Sequence, residues 1–121
     1  MTEQRFQQLP TTAVSDALKG RNHLPSTIKP LNEAHHIAGK AITVKLPIYE
    51  NGAVMAAMLE AHPGDILVVD IEGNTSRAVA GDFVIGMMQK LDIGGLVVNG
   101  AIRDKEAVLA LDFPVFVTGI T

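Results

Sequence analysis

Several residue types that often define a protein's chemistry are missing or scarce in this chain. It has no cysteine and no tryptophan, and aromatic residues make up 4% of its 121 residues. Without cysteine the chain has no disulfide framework, no thiolate metal site and no cysteine nucleophile.

Charge is also scarce. Ten Lys and Arg residues stand against thirteen Asp and Glu residues, a net charge of −3, and no basic cluster occurs along the sequence. Nucleic-acid binding relies on basic patches that neutralise phosphates, so nucleic acid is not expected as a partner. Since 47% of the residues are hydrophobic, some apolar surface is expected to be covered by other subunits, which predicts a homo-oligomer.

Long hydrophobic runs are absent too. No apolar stretch approaches the roughly 20 residues that a membrane-spanning helix needs. The first ten residues, MTEQRFQQLP, lack the charged and then apolar layout of a signal peptide. We therefore expect a cytoplasmic protein with no membrane partner. The length fits one domain, which we place at residues 1–121.

The apolar patterns that are present predict an α/β fold. Helices are predicted near residues 11–18, 53–61, 78–91 and 104–111, strands near 38–46, 66–69, 96–98 and 114–117, and a loop at 21–30. The dipeptide Asn99-Gly100 is predicted to close the third strand. Alternation of strands and helices favours a sheet that is at least partly parallel. Ligands of such sheets bind beyond the carboxyl ends of the strands.

The first candidate site is the segment Asn99-Gly100-Ala101-Ile102-Arg103-Asp104, where a strand gives way to a helix. Arg103 offers a planar guanidinium that binds carboxylates through two hydrogen bonds. Asp104 offers a hard oxygen ligand suited to Mg²⁺ or Mn²⁺. The alternative is that Asp104 caps the next helix while Arg103 forms a surface ion pair. Taken alone, this segment is explained more simply by capping.

The second candidate site is Ala80-Gly81-Asp82-Phe83-Val84, at the start of the preceding helix. A glycine there exposes backbone N–H groups, which together with the helix dipole bind anions such as carboxylates. Asp82 lies in the same turn, where it could hold metal-bound water or pair with Arg103. Capping is again the alternative.

Other polar residues are weaker candidates. Adjacent residues on a strand point to opposite faces, so His35-His36 is expected to be a surface pair and not a metal site. Asp65 and Asp70 bracket a predicted strand and are explained by turn formation. Arg77 lies close before Gly81 and has two readings, a position near the substrate or a solvated charge at a helix start.

The two candidate segments lie at a defined spacing, because twenty residues separate Asp82 from Arg103-Asp104. The chain has four further characteristic segments, which are TAVSDAL at 12–18, AGKAITV at 38–44, HPGDILVVD at 62–70 and GGLVV at 94–98. On this D-x20-R-D pattern and these segments, the chain resembles the 4-hydroxy-4-methyl-2-oxoglutarate aldolases and the related regulator of ribonuclease activity A. Some members of that family are labelled 2-demethylmenaquinone methyltransferases.

The resemblance implies a swivelling β/β/α domain similar to phosphohistidine domains, assembled as trimers or hexamers. It implies that Asp104 binds the divalent metal directly and that Arg103 contacts the 2-oxo acid and its developing oxyanion. Asp82 would order metal-bound water. The substrate carboxylate would be held by backbone amides of Gly81, Asp82, Phe83 and Val84. The family continues beyond the position of Thr121 with a region whose glutamate reaches a neighbouring subunit's site, so a truncated member is expected.

The implied activity is that of a Mg²⁺- or Mn²⁺-dependent lyase. It would cleave 4-hydroxy-2-oxo acids or decarboxylate oxaloacetate, with pyruvate as a product. The alternative is a non-catalytic regulator of ribonuclease activity that acts by protein–protein contact. The D-x20-R-D pattern favours the enzyme, because a contact surface has no need of it. A methyltransferase is not expected, since the sequence has no glycine-rich loop of the kind that binds a nucleotide-like methyl donor.

Overall fold

The computed structural model describes residues 2–46 and 52–121, which form an α/β fold. The helices are α1 Thr2–Gln7, α2 Thr11–Ala17, α3 Gly52–Glu60, α4 Asp82–Lys90 and α5 Lys105–Ala110. The strands are β1 Lys29–Pro30, β2 Ala41–Lys45, β3 Ile66–Asp70, β4 Gly95–Ile102 and β5 Val115–Ile120.

The strands form one sheet in the order β1-β5-β4-β3-β2. Strands β2 to β5 are parallel to their neighbours, and only β1 is antiparallel, to β5. Each crossover from β2 to β5 moves one strand in the same direction. Because such crossovers are right-handed, α3, α4 and α5 lie on the same face of the sheet. The prediction of a sheet that is at least partly parallel is therefore confirmed.

The hydrophobic core lies between this sheet face and the helices. Alternate residues of β3, β4 and β5 are buried against helical side chains. The central members of the core are Leu67, Val69, Leu96, Val98 and Val115 from the strands, and Met58, Ile85, Met88 and Val108 from the helices. Burial of one such side chain stabilises the fold by about 1.5–3 kcal/mol. This packing fixes the carboxyl ends of the strands, where both candidate segments lie.

Strand β4 does not end at Asn99-Gly100, so that prediction is wrong. The strand continues to Ile102. The Asn99 carbonyl oxygen accepts hydrogen bonds from the N–H of Ile71 at 3.2 Å and of Gly73 at 3.0 Å. A side chain at Gly100 would overlap that of Ile71. The Asn99-Gly100 dipeptide is part of the strand and not a turn. It allows the turn that follows β3 to pack closely against β4.

Helix α4 begins at Asp82, later than the earliest predicted position. The preceding segment, residues 78–80, lies beside the end of β4, where Ala78 forms a parallel bridge with Ala101. Val79 N–H donates to the Ala101 carbonyl at 2.9 Å, and Arg103 N–H donates to the Ala80 carbonyl at 3.1 Å. Backbone pairing with β4 therefore takes precedence over helix formation in this segment.

The N-terminal part of the chain also differs from prediction. Helix α1 was not predicted, and β1 lies inside the predicted loop at 21–30. Helix α3 begins at Gly52, and Asn51, predicted to open it, lies outside the described residues. In the described part of the chain, no helix combines the length and apolarity needed to cross a membrane.

Candidate functional site

The first wall of the candidate site is the N-terminus of α4. Gly81 is extended and precedes the helix, and its carbonyl accepts the N–H of Ile85 at 3.0 Å. The first N–H groups of an α-helix have no partner within the helix. Together with the positive end of the helix dipole, they favour an anion at this position.

The second wall is the corner between β4 and α5. Asp104 has left-handed backbone angles, φ 63° and ψ 46°, and its side chain makes no capping hydrogen bond to α5. Its Oδ2 instead lies 3.4 Å from the backbone N of Asp82. The carboxylate therefore faces the start of α4, and the side-chain capping of α5 considered from the sequence is not observed.

The absence of a side chain at Gly81 lets the two walls meet. A Cβ atom there would lie 2.5 Å from Asp104 Oδ2 and 3.1 Å from Arg103 Nε. Arg103 Nε and Asp104 Oδ2 are 3.7 Å apart, and these side chains are 68% and 42% exposed. Such an exposed pair is weak, so the guanidinium stays available to a ligand. Within residues 2–46 and 52–121, Asp82 forms no ion pair with Arg103.

A cleft of about 600 Å³ opens beside these groups. It is lined by residues 76–81, Val84, Arg103 and Thr121. Of the predicted substrate-binding residues, Gly81, Val84 and Arg103 thus line the cleft. Asp82 and Phe83 do not line it, and Phe83 is 77% exposed. The predicted role of residues 81–84 concerns backbone amides, which the direction of the Phe83 side chain does not alter.

Arg77 and Ser76 also line the cleft, although neither was among the predicted substrate-binding residues. Arg77, for which the sequence left two readings, lies in the cleft wall. Ser76 was not singled out from the sequence. Its N–H and Oγ both donate to Asn74 Oδ1, at 2.8 and 2.6 Å. The Asn-x-Ser spacing was the available signal, because asparagine side chains commonly accept the N–H two residues later.

The donor set fits a hard divalent cation held by few protein ligands. Among the described residues, no group of three or more His, Asp or Glu side chains could hold a metal ion. Mg²⁺ is commonly bound by one or two carboxylates and completes its coordination with water and substrate oxygens. The partly exposed Asp104 carboxylate, with Arg103 and the start of α4 beside it, meets that requirement. It does not meet the requirement of zinc for several nitrogen or sulfur ligands.

The two adjacent histidines contact different parts of the chain. His35 Nε2 lies 2.9 Å from Asp112 Oδ1, and His36 Nε2 lies 3.1 Å from the Gln7 carbonyl oxygen. The expectation that both lie at the surface is wrong, since the His35 side chain is only 15% exposed. This contact between His35 and Asp112 links the segment before β2 to the corner between α5 and β5.

Asp65 and Asp70 stabilise turns, as predicted. Asp65 Oδ2 accepts the N–H of His62 at 2.9 Å, and Asp70 Oδ1 accepts the N–H of Glu72 at 2.8 Å. Asp70 Oδ1 also accepts a hydrogen bond from Asn99 Nδ2 at 3.0 Å, which links the ends of β3 and β4.

Known sequences match the chain along almost its whole length. A family model described as RraA-like, Aldolase/RraA, matches residues 11–121. A protein of Halalkalibacterium halodurans named "Putative 4-hydroxy-4-methyl-2-oxoglutarate aldolase" is 53% identical over 117 residues, which is 97% of this chain and 56% of that protein. The chain therefore spans little more than half the length of this relative.

Solved structures share the fold. Streptomyces coelicolor RraAS2, described as an unusual member of the RNase ES inhibitor RraA protein family, superposes with a TM-score of 0.87 at 28% identity, covering 98% of this chain and 63% of that one. The RNA-processing inhibitor RraA from Thermus thermophilus has a TM-score of 0.81 at 25% identity, covering 94% and 69%. The expected RraA-like fold is confirmed, and the chain belongs to the RraA-like family, described as Aldolase/RraA.

Proposed function

We propose that this protein is a divalent-metal-dependent lyase. It cleaves 4-hydroxy-2-oxo acids of the 4-hydroxy-4-methyl-2-oxoglutarate type and decarboxylates oxaloacetate, and both reactions give pyruvate. The observation that carries the proposal is the convergence at Gly81, where the Asp104 carboxylate and the Arg103 guanidinium meet the first turn of α4. The name of the 53% identical relative supports the same reaction class.

The substrate carboxylate binds at the start of α4. The backbone N–H groups of Phe83 and Val84 belong to the first helical turn, where the helix dipole favours negative charge. Arg103 lines the same cleft and directs a guanidinium toward the 2-oxo group. These contacts orient the substrate so that its C3–C4 bond lies beside the groups that stabilise the departing electron pair.

Cleavage requires one proton acceptor and stabilisation of one enolate. The hydroxyl proton leaves the C4 oxygen, the C3–C4 electrons move to C3, and the products are a carbonyl compound and the enolate of pyruvate. Asp82, exposed at the first turn of α4, orders a water molecule that accepts the proton. Arg103 stabilises the enolate oxygen through its fixed positive charge. Asp104 would hold Mg²⁺ or Mn²⁺, which supplies Lewis-acid stabilisation of the same enolate.

Oxaloacetate decarboxylation uses the same groups without the hydroxyl proton. Its C3–C4 bond breaks with loss of CO₂, and the electron pair again forms the enolate of pyruvate. A proton then adds to C3. Because the enolate is common to both reactions, one site with Arg103 and Asp104 serves both.

A second candidate is a regulator of ribonuclease activity that acts by protein contact. It is supported by the fold shared with the RNA-processing inhibitor RraA from Thermus thermophilus, at a TM-score of 0.81. A contact function needs no metal carboxylate and no cleft. The convergence at Gly81 therefore favours the lyase.

A pyruvate-release assay separates the two candidates. The wild-type chain is incubated with oxaloacetate or 4-hydroxy-4-methyl-2-oxoglutarate and Mg²⁺, and pyruvate is measured with lactate dehydrogenase. The lyase predicts release that stops when a chelator is added. Inhibition of a ribonuclease without any pyruvate release from either substrate would instead favour the regulator.

A further inference from the structure

We propose that Arg77 is a specificity-determining residue that binds the second carboxylate of a dicarboxylic 2-oxo acid. This inference rests on the proposed function and adds a residue to it. The first carboxylate lies at the start of α4 beside Arg103, and Arg77 selects substrates that carry another carboxylate at the far end.

The composition of the cleft supports a ligand with two negative charges. Arg77 and Arg103 both line it, whereas none of its lining residues has an acidic side chain. The whole chain has a net charge of −3. The two guanidinium groups therefore give the cleft a positive charge that contrasts with the negative net charge of the chain. Arginine recognises a carboxylate through two parallel hydrogen bonds, and each guanidinium thus suits one carboxylate.

The backbone limits the distance between Arg77 and Gly81, which precedes the start of α4. Gly81 lies four residues after Arg77, so the two residues are at most about 13 Å apart. The segment between them is held to β4 by the hydrogen bonds of Val79 to Ala101 and of Arg103 to Ala80. Arg77 is therefore anchored relative to Gly81.

The size of the cleft agrees with this assignment. Its volume of about 600 Å³ exceeds what the three carbons of pyruvate occupy. Arg77 lies in the cleft wall, four residues before Gly81. A substrate that extends past its 2-oxo group toward Arg77 would use this remaining space.

Two unreactive ligands of equal carbon number test the role of Arg77. 2-Oxoglutarate has a distal carboxylate, whereas 2-oxopentanoate has a methyl group in its place. Neither has the 4-hydroxyl group needed for cleavage, so titration calorimetry with Mg²⁺ reports binding without turnover. Because hydrogen bonds to charged groups are among the stronger ones, Arg77→Ala should weaken 2-oxoglutarate binding about 10-fold or more. It should change 2-oxopentanoate binding by less than about twofold.

Two further variants control the experiment. Arg77→Lys keeps the charge but loses the planar pair of donors, and should retain part of the preference for 2-oxoglutarate. Arg21→Ala removes an exposed positive charge that does not line the cleft and should leave both affinities unchanged. Circular dichroism and thermal melting confirm that each variant folds.

The outcomes distinguish this inference from the proposed function. If Arg77→Ala weakens the binding of both ligands equally, or of neither, then Arg77 does not recognise the distal carboxylate. The lyase proposal is unaffected by that result. If the wild-type chain binds neither 2-oxo acid in the presence of Mg²⁺, the proposed function and the role of Arg77 fall together.

Discussion

At the scale of single residues, Gly81 has two roles. Its position before a helix predicts a backbone site for an anion. The structure shows a second reason for glycine at this position. A Cβ atom would occupy the space of the Asp104 carboxylate and the Arg103 side chain. Contact between residues 81 and 104 depends on tertiary packing, and sequence spacing alone indicates it only through the family resemblance.

Gly81→Ala should disturb the site and spare the fold. The added methyl group displaces the ends of flexible side chains and no buried backbone, so the melting temperature should stay within a few degrees of wild type. Displacement of Arg103 and Asp104 by about 1 Å should lower pyruvate release about 100-fold. The measurement is pyruvate release together with thermal melting. Normal release from a variant that carries the methyl group would show that this contact is unimportant.

The direction of the Asp104 carboxylate could not be predicted from its neighbours in the sequence. An aspartate before a helix ordinarily caps that helix through its side chain. Here the backbone is left-handed, with φ 63°, and the carboxylate faces α4. The prediction of Asp104 as a metal ligand stays a prediction, but its position near the start of α4 agrees with the pairing that the D-x20-R-D spacing indicated.

At the scale of elements, the apolar patterns predicted the parallel strands and the helices between them. They ended β4 too early and left the start of α4 open within residues 78–91. Both arise because residues 78–80 pair with the end of β4. This pairing joins residues more than twenty positions apart, and hydrophobic periodicity in a local window contains no information about it.

Two glycines of the α4–β4 unit provide a matched test of this packing. A Cβ atom at Gly94 would lie 2.6 Å from the Gly64 carbonyl oxygen, whereas one at Gly86 in α4 would meet nothing within 4 Å. Gly94→Ala should therefore reduce the free energy of unfolding by about 1–3 kcal/mol. Gly86→Ala should raise it by about 0.5–1 kcal/mol, since alanine favours the helix. Urea denaturation measures both, and equal effects would contradict the packing described for Gly94.

At the scale of the whole molecule, composition and the order of elements were enough to predict the α/β class. The cleft was not predictable, because its wall combines residues 76–81 with Arg103, which meet only after the sheet has formed. The chain spans 56% of the length of its 53% identical relative, so activity and assembly are properties to be measured on this chain.

We propose that the protein assembles as a homotrimer or hexamer. Large apolar side chains lie exposed on separate elements, among them Leu24, Leu59 and Phe83, with Leu59 75% exposed. Exposed apolar area of this kind marks association surfaces. Light scattering coupled to size-exclusion chromatography should give three or six times the mass of one chain. A monomeric mass throughout the micromolar range would contradict this.

We propose that Gly81, Arg103 and Asp104 form one metal-dependent lyase site. It is tested most directly by pyruvate release from oxaloacetate by wild type and Asp104→Asn, with the metal-only background subtracted. Asparagine also adopts left-handed backbone angles, so this variant keeps the shape of the corner and removes the charge. We expect chelator-sensitive release by wild type and a loss of about 100-fold in the variant, with its melting temperature unchanged. Equal release by the two proteins, or no metal-dependent release by wild type, would contradict it.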